Sequence, residues 1–137
     1  MLRTKIRYFL ARLICVLIPE VKELKDCLFC KIANKEIESD IVFENDKVMV
    51  FKDISPAAPV HLLVIPKKHI SSIMEIDKME DQEIEGMMKT IVSIASDLGL
   101  EKNGFRVVTN IGDDGGQSVG HLHFHILGKR KFAWPPG

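Results

Sequence analysis

Apolar and polar positions change rhythm several times along the chain, and each change marks an element. Residues 41–44 (IVFE) and 47–53 (KVMVFKD) are short runs rich in β-branched and aromatic side chains, and Asn45-Asp46 between them predicts a hairpin. After the turn-rich SPAAP, residues 61–69 (HLLVIPKKH) predict another strand, stopped at Pro66 because proline has no N–H to give to a ladder. Between Asp77 and Leu98 the spacing becomes helical. Ile84, Met87, Met88, Ile91, Val92, Ala95 and Leu98 fall on one face, and Gly99 supplies the stop. FRVVTN (105–110) predicts a strand, GDDGGQSVG (112–120) a glycine-rich loop, and HLHFHIL (121–127) the last strand. Upstream, LFCKIANKEI (28–37) is short and mixed, enough for one or two helical turns. This order predicts an α+β fold: an antiparallel sheet of about five strands with one long helix packed on one face.

Length and charge narrow the class. A chain of 137 residues suits one domain with a sizeable core, placed here at residues 26–137. Nineteen basic side chains balance nineteen acidic ones, so bulk charge gives no reason to expect a nucleic-acid partner, and any phosphate must be held locally. Three cysteines make no disulfide framework, which points to a reducing, cytoplasmic setting. Residues 1–25 differ in character. Arg3, Lys5, Arg7 and Arg12 flank an apolar stretch in which Ile6, Phe9, Leu10, Leu13, Ile14 and Leu17 would share a helical face. Three readings stay open for this segment. It is a basic amphipathic helix lying on a membrane surface or docking on a partner, or a secretory signal whose apolar core Arg12 interrupts, or a start-site artefact, since no methionine follows Met1 until Met49. Membrane association is expected only if residues 1–20 belong to the protein, and the stretch is too short to span a bilayer.

The chemistry gathers in GQSVGHLHFH (116–125). In an extended chain alternate side chains share a face, so His121, His123 and His125 would line one side while Leu122 and Phe124 turn to the core. A half-exposed strand that happens to use histidine in its polar slots is the competing explanation, weakened because three of the chain's five histidines fall within five residues. Imidazole is neutral and nucleophilic near neutral pH and can attack phosphorus without prior activation. It needs donors for phosphate oxygens, a partner that fixes its tautomer, and a proton for the leaving group. The preceding loop offers backbone amides at Gly115 and Gly116, the Gln117 side-chain amide and the Ser118 hydroxyl, although a hairpin loop also uses glycine pairs for geometry alone. Cys27 and Cys30 supply half of a tetrahedral metal site, with the distant His69 and His121 available as the other half; two small buried thiols is the alternative. His61, taken alone, reads as a core or edge residue.

GQSVGHLHFHIL resembles the histidine-triad (HIT) pattern, His-φ-His-φ-His-φ-φ with φ apolar. The resemblance extends over residues 26–137 through KIANKEI, VFKDISPAAPVHLLVIPKKHI, DLGL and the terminal WPPG. The KDISP, PKKHI and WPPG blocks are similar to the Hint branch, purine nucleoside phosphoramidases that act on AMP joined through P–N bonds. The resemblance implies that His123 attacks the α-phosphorus to form a nucleotidyl-histidine. It further implies that His125 bonds the phosphate, that Ser118 lies near the leaving group, and that Gly116, Gln117 and Val119 surround the phosphate. Asp53 would hold the ribose hydroxyls and Asn110 would sit beside the ribose-phosphate. Phe29, Ile32, Phe51 and Ile54 would line an apolar slot for the base, and His61 would help orient the triad. Relatives with Cys-x-x-Cys carry zinc on those cysteines, the PKKH histidine and the first triad histidine, which here are Cys27, Cys30, His69 and His121. A structural zinc is therefore expected, as is a homodimer whose sheet continues between subunits and whose C-terminal segment reaches toward the partner's active site. Gly120 departs from the bulkier residues usual before the first triad histidine. Two other functions share the motif: cleavage of dinucleoside polyphosphates, and a nucleotide-binding interaction module with vestigial catalysis.

Overall fold

A computed structural model describes residues 26–137, and the N-terminal segment discussed above lies outside the described residues. A short helix α1 (Leu28–Ala33) leads into strands β1 (Ile41–Glu44), β2 (Val48–Lys52) and β3 (Val60–Pro66). A 3-10 turn (Ile73–Lys78) precedes the long helix α2 (Asp81–Asp97), and a second 3-10 turn (Leu100–Lys102) precedes β4 (Arg106–Val108) and β5 (Phe124–Gly128). The five strands form one sheet in the order β1-β2-β3-β5-β4, every pairing antiparallel.

Local chemistry sets these boundaries. The Asn45 side chain accepts from the Lys47 and Val48 amides, closing the turn between β1 and β2. At the start of α2, Glu80 and Glu83 form a reciprocal capping box, and Gly99 ends the helix with a left-handed φ of 66°. The helix begins four residues later than Asp77, because Ile73–Lys78 forms a separate 3-10 turn.

The pleat divides the sheet into two apolar faces. Val48, Val50, Leu62, Val64, Leu122, Phe124 and Ile126 pack on one side against Met87, Ile91, Ile94 and Ala95 of α2. On the other side Met49, Phe51, Leu63 and Ile65 meet Phe29, Cys30, Ile32 and Ala33 of α1. Each fully buried aliphatic side chain in these layers contributes about 1.5–3 kcal/mol, so the sheet is a stiff platform for whatever its α1 face carries. Among the described residues no helix is long and apolar enough to cross a membrane.

One expectation about the sheet is corrected. HLHFHIL does not pair along its whole length: the ladder begins at Phe124, so His121 and His123 precede the strand and only His125 lies within it. The cause is the chain's entry. The His121 amide donates to Val119 O at 2.9 Å, a tight turn around Gly120, and the Leu122 amide then bonds Ile70 O instead of a strand. The alternation itself survives, with Leu122 1% and Phe124 8% exposed in the α2 layer. FRVVTN is likewise shorter than read, paired only over Arg106–Val108.

Candidate active site and metal centre

All five histidines lie on the α1 face, in two groups that meet at His123. In the first, the ligand atoms of Cys27, Cys30, His69 and His121 all lie within 4.8 Å of one another. Cys27 Sγ is 3.4 Å from His121 Nδ1, and Cys30 Sγ is 3.2 Å from His69 Nδ1 and 3.5 Å from His121 Nδ1. These separations match the sulfur–nitrogen edges of a tetrahedron whose metal–sulfur and metal–nitrogen bonds are about 2.3 and 2.0 Å. The backbone aims the donors. His121 Nε2–H donates to the Pro66 carbonyl at 2.8 Å, which leaves the Nδ1 lone pair facing the thiols. Cys27 caps α1 by accepting from the Cys30 amide, so one turn of helix presents both sulfurs together. Burial and the adjacent Cys27 push the Cys30 thiol up to about 12, so a cation must displace its proton. Burial also brings His121 down to about 4, keeping it a neutral ligand. The four side chains can hold a metal ion, and they fill all four positions.

The second group is Asp53, His61 and His125, also close enough to invite a metal, but its protons argue otherwise. The Ala57 amide donates to His61 Nδ1 at 2.9 Å, so the neutral ring must carry its hydrogen on Nε2. That nitrogen is 2.8 Å from His125 Nδ1 and 3.4 Å from Asp53 Oδ2. His61 therefore donates and His125 Nδ1 accepts, leaving Nε2–H of His125 as a donor to an outside group. Burial lowers the pKa of His61 against the pull of Asp53, and burial together with His123 and His61 takes His125 to about 4, so both rings stay neutral near neutral pH. This is a tautomer relay in which neither histidine keeps a free lone pair for a cation.

Between the groups sits His123, 3% exposed. Its Nδ1–H donates to the His121 carbonyl at 2.7 Å, which places the lone pair on Nε2. The His125 ring lies 5.0 Å away, and Phe29 stands edge-on at 5.1 Å. The site thus pairs an oriented nucleophile with a neutral, oriented donor.

The other residues expected from sequence fall in different places. Phe29, Ile32 and Phe51 are buried together beside His123, with Phe29 and Phe51 in edge contact at 5.5 Å. Ile54 is 98% exposed and lines no slot within the chain itself. Asn110, Val119 and Asp53 are half-buried, and Gly116 is exposed. Asp53 Oδ1 accepts from the Ser55 amide, while a cleft of about 280 Å³ lined by Val42, Asp53, Pro56 and His61 opens beside it. Gln117 requires a correction. Its side-chain nitrogen donates to Ser71 O and Val119 O, and its oxygen accepts from the Gly112 amide, so it braces the loop and has nothing left for a phosphate. The Gly116 amide is similarly committed to Asp113 O. Gly115 is required by space, since a Cβ there would lie 2.2 Å from Ile111 O. Ser118 is exposed, with its hydroxyl uncommitted among the described residues. Sequence reasoning missed Thr109, whose hydroxyl donates to His123 O at 2.9 Å; a threonine at a strand end carries no signal of that duty.

Similarity to known proteins places the chain in a family. The HIT domain profile matches residues 34–132, beginning just after the Cys27-Cys30 turn. An uncharacterized HIT-like protein of Synechococcus elongatus is 45% identical over 113 residues, 82% of this chain and 98% of its own length. The crystal structure of a HIT family hydrolase from Legionella pneumophila superposes with a TM-score of 0.79 at 44% identity, covering 82% of this chain and all of that one. A histidine triad protein from Clostridium difficile gives a TM-score of 0.72 at 48% identity, over 79% of this chain and 94% of that one. With its histidines spaced and oriented as described, and a family match across most of its length, the chain belongs to the HIT family.

Proposed function

We propose that the protein is a hydrolase that cleaves the P–N bond of purine nucleoside 5′-phosphoramidates through a covalent nucleotidyl-His123 intermediate. The observation that carries this reading is the bond from His123 Nδ1–H to the His121 carbonyl, which turns Nε2 and its lone pair toward the substrate side. That nitrogen attacks the α-phosphorus while His125 Nε2–H donates a hydrogen bond to a phosphate oxygen; the P–N bond to the amine breaks, and the amine departs with a solvent proton relayed through the Ser118 hydroxyl. Water then attacks the same phosphorus, releasing the nucleotide and returning the electron pair to His123. Phe29, Ile32 and Phe51 supply the apolar wall for the base, and Asp53 the carboxylate for the ribose. The metal, taken to be zinc because two thiolates and two imidazoles suit it, supplies a structural crosslink when bound. His121 then anchors the segment ahead of the nucleophile.

The active unit is a homodimer in this reading. Trp134 is 82% exposed at the end of a tail whose Ala133 carbonyl is held by Arg106, and a large ring with one N–H suits a protein interface. Sedimentation of a monomer at micromolar concentration would contradict that part. The chemistry is tested by His123→Ala, expected to abolish turnover of an AMP phosphoramidate while leaving AMP affinity within about tenfold. A variant that keeps more than a few per cent of the wild-type rate rules out the covalent route.

A further inference from the structure

The backbone from His121 to His123 carries the nucleophile, yet it has no strand partner. The β4–β5 ladder runs from Arg106–Leu127 through Val107–Ile126 to Val108–His125 and ends there. Continued by two residues, it would bring Asn110 opposite His123, but Asn110 turns into the glycine-rich loop instead. At this break a side chain takes over, as the Thr109 hydroxyl donates to the His123 carbonyl at 2.9 Å. Other ties hold the segment upstream of that carbonyl: the His121 amide to Val119 O at 2.9 Å, the His121 ring to Pro66 O at 2.8 Å, the Leu122 amide to Ile70 O at 2.6 Å, and the His123 ring to His121 O at 2.7 Å.

We propose that Thr109 is the positioning residue for His123, holding the nucleophile's own carbonyl and thereby the orientation of its ring. Peptide units are rigid planes, so the ring's direction relative to His125 depends on the few φ and ψ angles between Leu122 and Phe124. The Leu122 amide fixes one end of this span and the Thr109 hydroxyl fixes the carbonyl at its centre. Without the hydroxyl a nearly buried carbonyl loses its bond and the peptide after His123 is free to rotate. The ring then leaves its line with the His121 carbonyl, and both the single tautomer and the 5.0 Å approach to His125 go with it. The contact of the Thr109 hydroxyl is with the His123 carbonyl, so it acts through His123. The proposal rests on His123 being the nucleophile.

Valine has the shape of threonine without the donor, whereas serine keeps the donor without the methyl group. T109V is therefore expected to lower kcat on an AMP phosphoramidate by about tenfold or more with KM within twofold, and T109S to recover to within about threefold of wild type. Imidazole nitrogen NMR supplies a readout free of substrate: His123 should show one Nδ1–H tautomer in the wild type and in T109S, and a mixture in T109V. T109A repeats the test should valine fail to fold. The proposal is overturned if T109V keeps the wild-type kcat and the single tautomer. It is equally overturned if serine and valine lose activity alike, because the methyl packing would then be what matters. Should the wild type fail to turn over any phosphoramidate, the proposed function falls, and the imidazole spectra still decide the role of Thr109.

Discussion

The relay from the Ala57 amide through His61 to His125 makes its sharpest prediction at His61, because the two ring nitrogens of that residue do different jobs. Nδ1 accepts from the Ala57 amide and Nε2 donates to His125, and each task can be kept while the other is removed. In His61→Asn the side-chain oxygen lies near the position of Nδ1, preserving the Ala57 bond, but the amide is too short to reach His125. In His61→Gln the side-chain nitrogen lies near Nε2 and still donates to His125. A net hydrogen bond of about 0.5–1.5 kcal/mol corresponds to a factor of roughly 2 to 13, which sets the least that His61→Asn can cost. A further loss follows from the tautomer. Once Nδ1 of His125 has no donor facing it, the proton can move to Nδ1, and Nε2 then meets the phosphate with a lone pair where it should offer a hydrogen. We expect single-turnover rates on an AMP phosphoramidate to fall tenfold or more in His61→Asn and to stay within about threefold in His61→Gln. Wild-type rates in His61→Asn, or a glutamine variant slower than the asparagine one, would refute the relay.

Three further outcomes follow. Cys27→Ser should lower metal content and melting temperature together, because binding energy at a closed four-ligand site is also folding energy; untagged protein that contains no zinc and melts unchanged after chelation would contradict it. His125 sits at about 4 when folded against about 6.5 unfolded, so on acidification the unfolded chain takes up the proton first. Stability should therefore fall as pH drops from 6.5 toward 4 and be indifferent to this group above 6.5, and His125→Gln should show a shallower decline in the same window. Ser118→Ala should slow release of basic amines more than of acidic leaving groups such as a phenol, since a P–N bond breaks readily only when nitrogen leaves protonated; equal fractional losses on both substrates would assign the serine to loop structure.

Much of this site was legible in the residues because it is written in side-chain identity and period. The two-residue spacing of His121, His123 and His125 announced a shared face, and the apolar residues between them announced the core behind it. The helical face of α2, its glycine stop and the hairpin at Asn45 were readable for the same reason. What could not be read is the direction of protons and chain. His121 is aimed by the Pro66 carbonyl, His61 by the Ala57 amide and His123 by the His121 carbonyl, and a main-chain group looks alike at every position of a sequence. Gln117 shows the same blindness from the other side: an amide in a glycine loop reads as an outward donor, and only the fold reveals that Ser71 and Val119 have taken both hydrogens. The break in the last strand is of this kind too. Nothing in HLHFHIL forbids pairing at His123, and it is the turn at Gly120 and the bond from Leu122 to Ile70 that draw the segment off the sheet. That departure is functional in consequence. A ladder would spend the His121 carbonyl on a neighbouring strand, whereas off the ladder the same carbonyl is available to the His123 ring and sets which nitrogen faces the substrate.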